Sequence, residues 1–237
     1  MQYDESKYEM RKTFGICGLP DLVWQKSDQG AFGRIVHGRP VDGPILDLAA
    51  DAGQWLELTQ GRGVVVQAGG CMGMYPLYYS SIFKDVHTFE PDVDNYYCLE
   101  RNCDKPNIHH ERVGLGSTDC EMKLVRINPV NAGMHRVASA ENIKNNSHPI
   151  PEELISTIQV KPIDSLNLEK CDLIHLDVEL FELEALIGAE ETIDRCSPVI
   201  VVETGGRPSP ADGFLYSKGY RMAKQLRMDT IYVKEGT

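Results

Sequence analysis

Two runs constrain this fold more than any others: Gly63-Val64-Val65-Val66-Gln67-Ala68-Gly69-Gly70-Cys71-Met72-Gly73 and, further on, Val86-His87-Thr88-Phe89-Glu90-Pro91. The first is a short apolar strand ending in a glycine turn. The second is a strand ending in an acid, Glu90. A parallel strand that feeds a glycine-rich turn and a helix builds a nucleotide cradle, and an acid at the tip of the next strand can accept both ribose hydroxyls. The same pattern also suits an ordinary strand-turn-helix corner that binds nothing.

The turn is selective about which nucleotide it suits. A dinucleotide fingerprint needs glycines in the order G-x-G-x-x-G. Counted from Gly69, the later positions are Cys71 and Met74; counted from Gly70, they are Met72 and Tyr75. The phosphate loop G-x-x-x-x-G-K-[ST] is also absent. A turn with Gly69 and Gly73 and no phosphate-binding lysine suits a cofactor without phosphate, and S-adenosylmethionine is one. Gln67, Gly69, Gly70, Cys71, Met72, Gly73 and Glu90 are therefore the expected cofactor contacts, with Asp177 from a later strand.

The alternation around this motif predicts an α/β fold, Rossmann-like and doubly wound, on a mostly parallel seven-stranded sheet with an antiparallel C-terminal strand pair. Strands are expected at Val64 to Ala68, Val86 to Phe89, Ile108 to Val113, Asp172 to Asp177 and Pro198 to Glu203, with a closing pair at Tyr220 to Leu226 and Thr230 to Val233. Helices are expected at Tyr75 to Phe83 and Val93 to Arg101. Residues 1–62 read as a helical extension packed on the core, since Leu46, Leu48, Ala49, Ala52, Trp55 and Leu56 recur at helical spacing. Residues 63–237 form the cofactor-binding domain, interrupted by a polar insertion at 121–162. Within it, Met122 to Ile127 and Thr157 to Val160 look like strands, and Asn128 to Pro151 reads as a mobile lid over the acceptor. Asn131, His135 and Arg136 are its candidate substrate contacts.

The strand tips carry the candidate chemistry. Glu90, Asp177 and Glu203 each close an apolar run. His175, Asp177 and Glu179 share one face if their strand runs that far. Asp177 is the first candidate for a general base, with His175 or Glu179 assisting. Asp177 and Glu203 on adjacent strands also offer oxygen ligands for Mg²⁺, although two acids are too few to specify a metal.

These runs resemble the successive motifs of the FkbM-type methyltransferases. The family pattern reads approximately D-V-G-A-N-I-G, F-E-P, T-L-D-D-L, K-I-D-V-E-G-x-E and P-x-I-x-x-E. Here the matching runs are Gln67 to Gly73, Phe89 to Pro91, Pro162 to Leu166, Asp172 to Glu182 and Pro198 to Glu203. The resemblance implies S-adenosylmethionine as methyl donor and O-methylation of a small molecule or sugar. Glu90, Asp177, Glu179 and Glu182 match. Gln67 stands where the family has Asp, His175 replaces Lys and Leu180 replaces Gly. These departures leave open a binding module of the same fold that has lost turnover, and the two strand-tip acids leave open a metal-assisted, catechol-type O-methyltransferase.

The remaining expectations concern partners. The net charge is −11 over 237 residues, which disfavours nucleic acid and anionic membrane as partners. Seven cysteines without C-x-x-C spacing, together with a polar start, predict a reduced cytoplasmic chain with free thiols. The expected partner is a small-molecule or carbohydrate acceptor.

Overall fold

The computed structural model describes residues 3–13, 15–29, 42–139, 143 and 149–236. In chain order its strands are β1 (Tyr8–Arg11), β2 (Leu22–Gln25), β3 (Val64–Ala68), β4 (Asp85–Phe89), β5 (Ile108–Glu111), β6 (Gly114–Leu115), β7 (Cys120–Arg126), β8 (His135–Ala138), β9 (Ile155–Lys161), β10 (Leu173–Leu176), β11 (Val199–Glu203), β12 (Tyr220–Gln225) and β13 (Asp229–Lys234). The helices are α1 (Asp42–Leu56), α2 (Met74–Ser80), α3 (Val93–Asn102), α4 (Glu182–Ile187), α5 (Glu190–Cys196) and α6 (Pro210–Ser217).

A mixed seven-stranded sheet in the order β12-β13-β11-β10-β3-β4-β5 forms the centre. Its strands β5, β4, β3, β10 and β11 pair in parallel, and β13 is antiparallel to both β11 and β12. Period-2 alternation divides the core. Val65, Leu173 and Val201 pack with Trp55, Leu77, Tyr79 and Leu99 from α1, α2 and α3. Val66, Ile174 and Ile200 pack with Leu186, Ile193 and Leu215 from α4, α5 and α6. Strands buried on both faces account for the unbroken apolar runs. The Asp172 carboxylate accepts the N–H groups of Gly63 and Val64, both at 2.8 Å, and so sets where β3 begins beside β10.

Three features depart from the sequence reading. The N-terminal region carries a β-hairpin, β1–β2, as well as a helix. The Asn102 side chain takes both the Val23 N–H and the Val23 carbonyl (2.7 and 2.8 Å), as a neighbouring strand would, and Tyr8 donates to Asp94 at 2.7 Å. Second, β5 stops at Glu111, and the chain then enters a separate sheet in the order β6-β9-β7-β8. Third, part of the expected lid is this sheet: β8 pairs antiparallel with β7, and Ala132 is tied to Asp28 and Asn95 at 3.0 Å each. The rest of that stretch, 140–142 and 144–148, lies outside the described residues. All seven cysteines are free thiols. Among the described residues, no helix is long and apolar enough to cross a membrane.

Candidate functional site

The glycine turn brings two strand tips together. Gly69 has φ +81°, and a Cβ there would lie 1.8 Å from the Asp177 carbonyl oxygen. That conformation favours glycine, and the close approach excludes any side chain. Asp177 N–H in turn donates to the Ala68 carbonyl (3.1 Å), while Gly69 and Gly70 N–H both reach the Phe89 carbonyl. Gly73, at φ +93°, starts α2 against Cys103.

Glu90 lies beneath this turn, 5% exposed. One carboxylate oxygen accepts the Cys71 N–H (2.8 Å) and the other accepts the Asp92 N–H (2.9 Å). Each oxygen therefore retains a lone pair for a further donor. Burial, and then the neighbouring Asp92 charge, pushes Glu90 up to about 7. Asp92 is the opposite case. Burial is the largest influence on it and raises it, but His135, 3.4 Å away, and the Arg126 charge outweigh that and hold it at about 2. Arg126 bonds Asp92 twice, at 2.8 and 3.1 Å, and reaches Asp94 at 2.8 Å.

Two cavities meet at the turn. A cleft of about 600 Å³ is lined by Ala68, Glu90, Leu115 and His135. A second, of about 1190 Å³, is lined by Gly70, Met72, Tyr75, Asn131, Met134 and Glu203. Gly69, Cys71, Asp177 and Glu179 line both. Asp177, Glu179 and Glu203 bring carboxylate oxygens within 4.8 Å of one another, and Asp229 is the register partner of Glu203. None of the ion pairs among the described residues involves these four acids. Burial, then the charge and hydrogen bond of Glu203, raises Asp177 far above the carboxylate range. Burial and Glu203 push Glu179 up to about 7 and Asp229 up to about 7.

Two expected site residues lie elsewhere. β10 ends at Leu176, so His175 and Asp177 do not share a continuing strand face. His175 instead faces the core, 1% exposed, beside Trp55, Tyr75 and Tyr79, with Nδ1 bonded to the Tyr79 hydroxyl at 2.9 Å. Burial pushes it down to about 3 and keeps it neutral. Gln67 is fully buried. It accepts from Thr88 (2.7 Å) and donates to the carbonyls of Ala68 and Gly69, supporting the turn from below. Asp177 and Glu179 meet through a turn in which Glu179 and Leu180 take φ +54° and +73°. The three expected substrate contacts separate: Asn131 lines the larger cavity, His135 the cleft, and Arg136, on the other face of β8, a third cavity. Asp229 was missed because a hairpin strand start looks like a turn residue. Its only sequence signal was its place opposite an acid-terminated strand.

No protein of curated function matches the sequence. Among solved structures, methyltransferase FkbM from Methylobacillus flagellatus KT is 21% identical with a TM-score of 0.48, covering 71% of this chain and 42% of that one. This chain thus spans less than half of that protein's length. Magnesium protoporphyrin IX methyltransferase from Synechocystis PCC 6803, solved with bound SAM, is 8% identical with a TM-score of 0.44, covering 82% of this chain and 81% of that one. TrmK from M. capricolum, solved with S-adenosyl-homocysteine, is 9% identical with a TM-score of 0.41, covering 77% and 66%. Residues 75–227 match the methyltransferase FkbM domain. This span is more than half of the chain and includes Glu90, Asp177, Glu179 and Glu203, so the chain belongs to the FkbM methyltransferase domain family.

Proposed function

We propose that this chain binds S-adenosylmethionine across the Gly69–Gly73 turn and transfers its methyl group to a hydroxyl of a small-molecule or carbohydrate acceptor. The observation that carries this reading is Glu90. It is a buried carboxylate at the turn, each oxygen already holding one backbone N–H and each able to accept a ribose hydroxyl. The acids beyond it fit the same cofactor. Asp177, Glu179 and Glu203 crowd together without a lysine or arginine ion pair among the described residues, and a sulfonium and an ammonium group offset such charge.

When bound, this cofactor supplies a methyl group activated on sulfur. The chain supplies position and a proton acceptor. Glu179 lines both cavities and sits at about 7, close to working pH, where a general base is most effective. It would take the proton that the acceptor hydroxyl releases on transfer. Asp177 and Glu203, which line the larger cavity, face the cationic end. His175, neutral and buried, sets the packing behind them.

Calorimetry with S-adenosylhomocysteine tests the assignment. Glu90→Ala should weaken binding by on the order of 2–4 kcal/mol through lost hydrogen bonds to a charged acceptor. Equal affinity of the variant and the unaltered protein would overturn it. A second reading, metal-assisted transfer, is favoured by the three convergent carboxylates. Loss of methyl transfer on adding a chelator would select it.

A further inference from the structure

A third cavity, about 1420 Å³, lies between the four-stranded sheet and the turn after β10. Its walls are largely apolar, with Met122, Val125, Val137, Ile150, Leu180 and Phe181 among them. It adjoins the cleft, because Val137 and Phe181 line both. Two of its residues are costly as they stand. Leu180 takes φ +73° and is 76% exposed at the rim. Left-handed backbone is unfavourable for any residue with a Cβ, and although the Leu180 N–H reaches the Glu182 carboxylate, the exposed side chain gains no packing there. Arg136 lines the same cavity, and its Nε is buried without a hydrogen-bond partner. An unsatisfied buried donor is likewise expensive.

Both residues can be engaged by one kind of occupant. An apolar body packs against Leu180 and Phe181, and an oxyanion on that body accepts from Arg136. Glu179 lines the cleft that shares Val137 and Phe181 with this cavity, so an occupant anchored at Arg136 adjoins the space that holds the proposed base. The geometry points to an amphipathic acceptor: a hydroxylated molecule with an apolar body and one carboxylate or phosphate, held in this groove. This rests on the methyl-transfer reading for the acceptor's role, but not for the binding itself.

The test titrates the full chain with the apolar anion 8-anilinonaphthalene-1-sulfonate and displaces it with decanoate, monodecyl phosphate, decanol and decyl glucoside. Both anions should displace the probe at concentrations roughly tenfold lower than decanol or decyl glucoside do, as one charged hydrogen bond implies. The stronger of the two anions identifies the oxyanion. Arg136→Gln should remove that preference. Leu180→Gly should raise the melting temperature while weakening probe binding several-fold, a pairing that a merely structural leucine would not produce. Equal displacement by decanol and decanoate, or probe binding unchanged in both variants, would overturn the assignment. Binding of S-adenosylhomocysteine, measured alongside, separates the two readings. Its absence from the unaltered protein defeats methyl transfer and leaves the groove result standing.

Discussion

Raising the pH from 5 to 7 should destabilise the unliganded protein. Glu90 and Asp229, 5% and 7% exposed, are held at about 7 when folded, against ordinary values of 4.5 and 3.8. Between those limits the folded chain keeps protons that the unfolded chain has released. The stability they contribute is complete below the unfolded values and is lost as pH rises through the folded ones. Each such group changes stability by at most about 1.4 kcal/mol per pH unit, and the slope flattens as the folded groups begin to ionise near pH 7, so the two together remove about 4–5 kcal/mol between pH 5 and 7. His175 opposes them. Its folded value of about 3 lies below the ordinary 6.5, so its contribution grows as pH rises to 6.5, returning about 2 kcal/mol from pH 5. The net loss is about 2–3 kcal/mol, and Asp177 and Glu179, also raised, deepen it. For a chain of this length that is a fall of roughly 4–12 °C in Tm. Melting curves at pH 5 and pH 7 and matched ionic strength provide the measurement. A Tm that is level or higher at pH 7 would refute the account of these acids as buried without a compensating cation.

Other outcomes follow from the same contacts. Gly69→Ala should cost well over the roughly 1–2 kcal/mol of a left-handed residue, because the new Cβ meets backbone. Gly205→Ala, at φ +59° with open space, is the control, and equal losses in urea melts would count against the close approach at Gly69. Arg126→Met should destabilise by about 3–5 kcal/mol by leaving fully buried Asp92 with one partner fewer; a loss below about 1 kcal/mol in the same assay would show the pair to be dispensable. Glu179→Gln should reduce saturated turnover by about 10²–10⁴. Asp177→Asn should instead weaken cofactor binding and change saturated turnover less. The reverse pattern would return the base to Asp177.

The sheet and the cradle were legible because their signals are local and repeated. Val64 to Ala68, Leu173 to Leu176 and Val199 to Val202 are apolar on both faces, and each is followed by a turn or an acid. The placement of His175 was less legible. Whether a residue near a strand tip faces core or cleft depends on where the strand stops, and β10 stops one residue before Asp177. Gln67 reads as a cofactor contact in the sequence because it opens the Gln67–Gly73 run, where the family has Asp. Its role here is internal: it bonds Thr88 and the turn's own carbonyls. The strand His135–Ala138 was hidden because all four residues are only partly buried, so no alternation of apolar and polar types marks it. Its existence is decided by pairing with β7, a contact that composition does not encode.

The order in which the chain emerges during synthesis gives the central strand pair a further meaning. β3 lies between β4, which follows it closely, and β10, whose leading Asp172 bonds Val64 across 108 positions of sequence. At about 5–20 residues per second, β3 waits several seconds for that neighbour. Over that interval β3, β4 and β5 can pair with one another, but the apolar edge of β3 stays open to any other strand. The four-stranded sheet is completed in the meantime, since β9 ends before β10 begins. The nascent chain therefore holds a finished accessory sheet and an unfinished centre, whose assembly resumes when β10 enters beside the glycine turn, ahead of β11, β12 and β13. A slow translation site just before Leu173 would lengthen the exposure of that edge and raise the aggregated fraction. The same delay placed after Glu203, once β10 and β11 are paired, would have little effect.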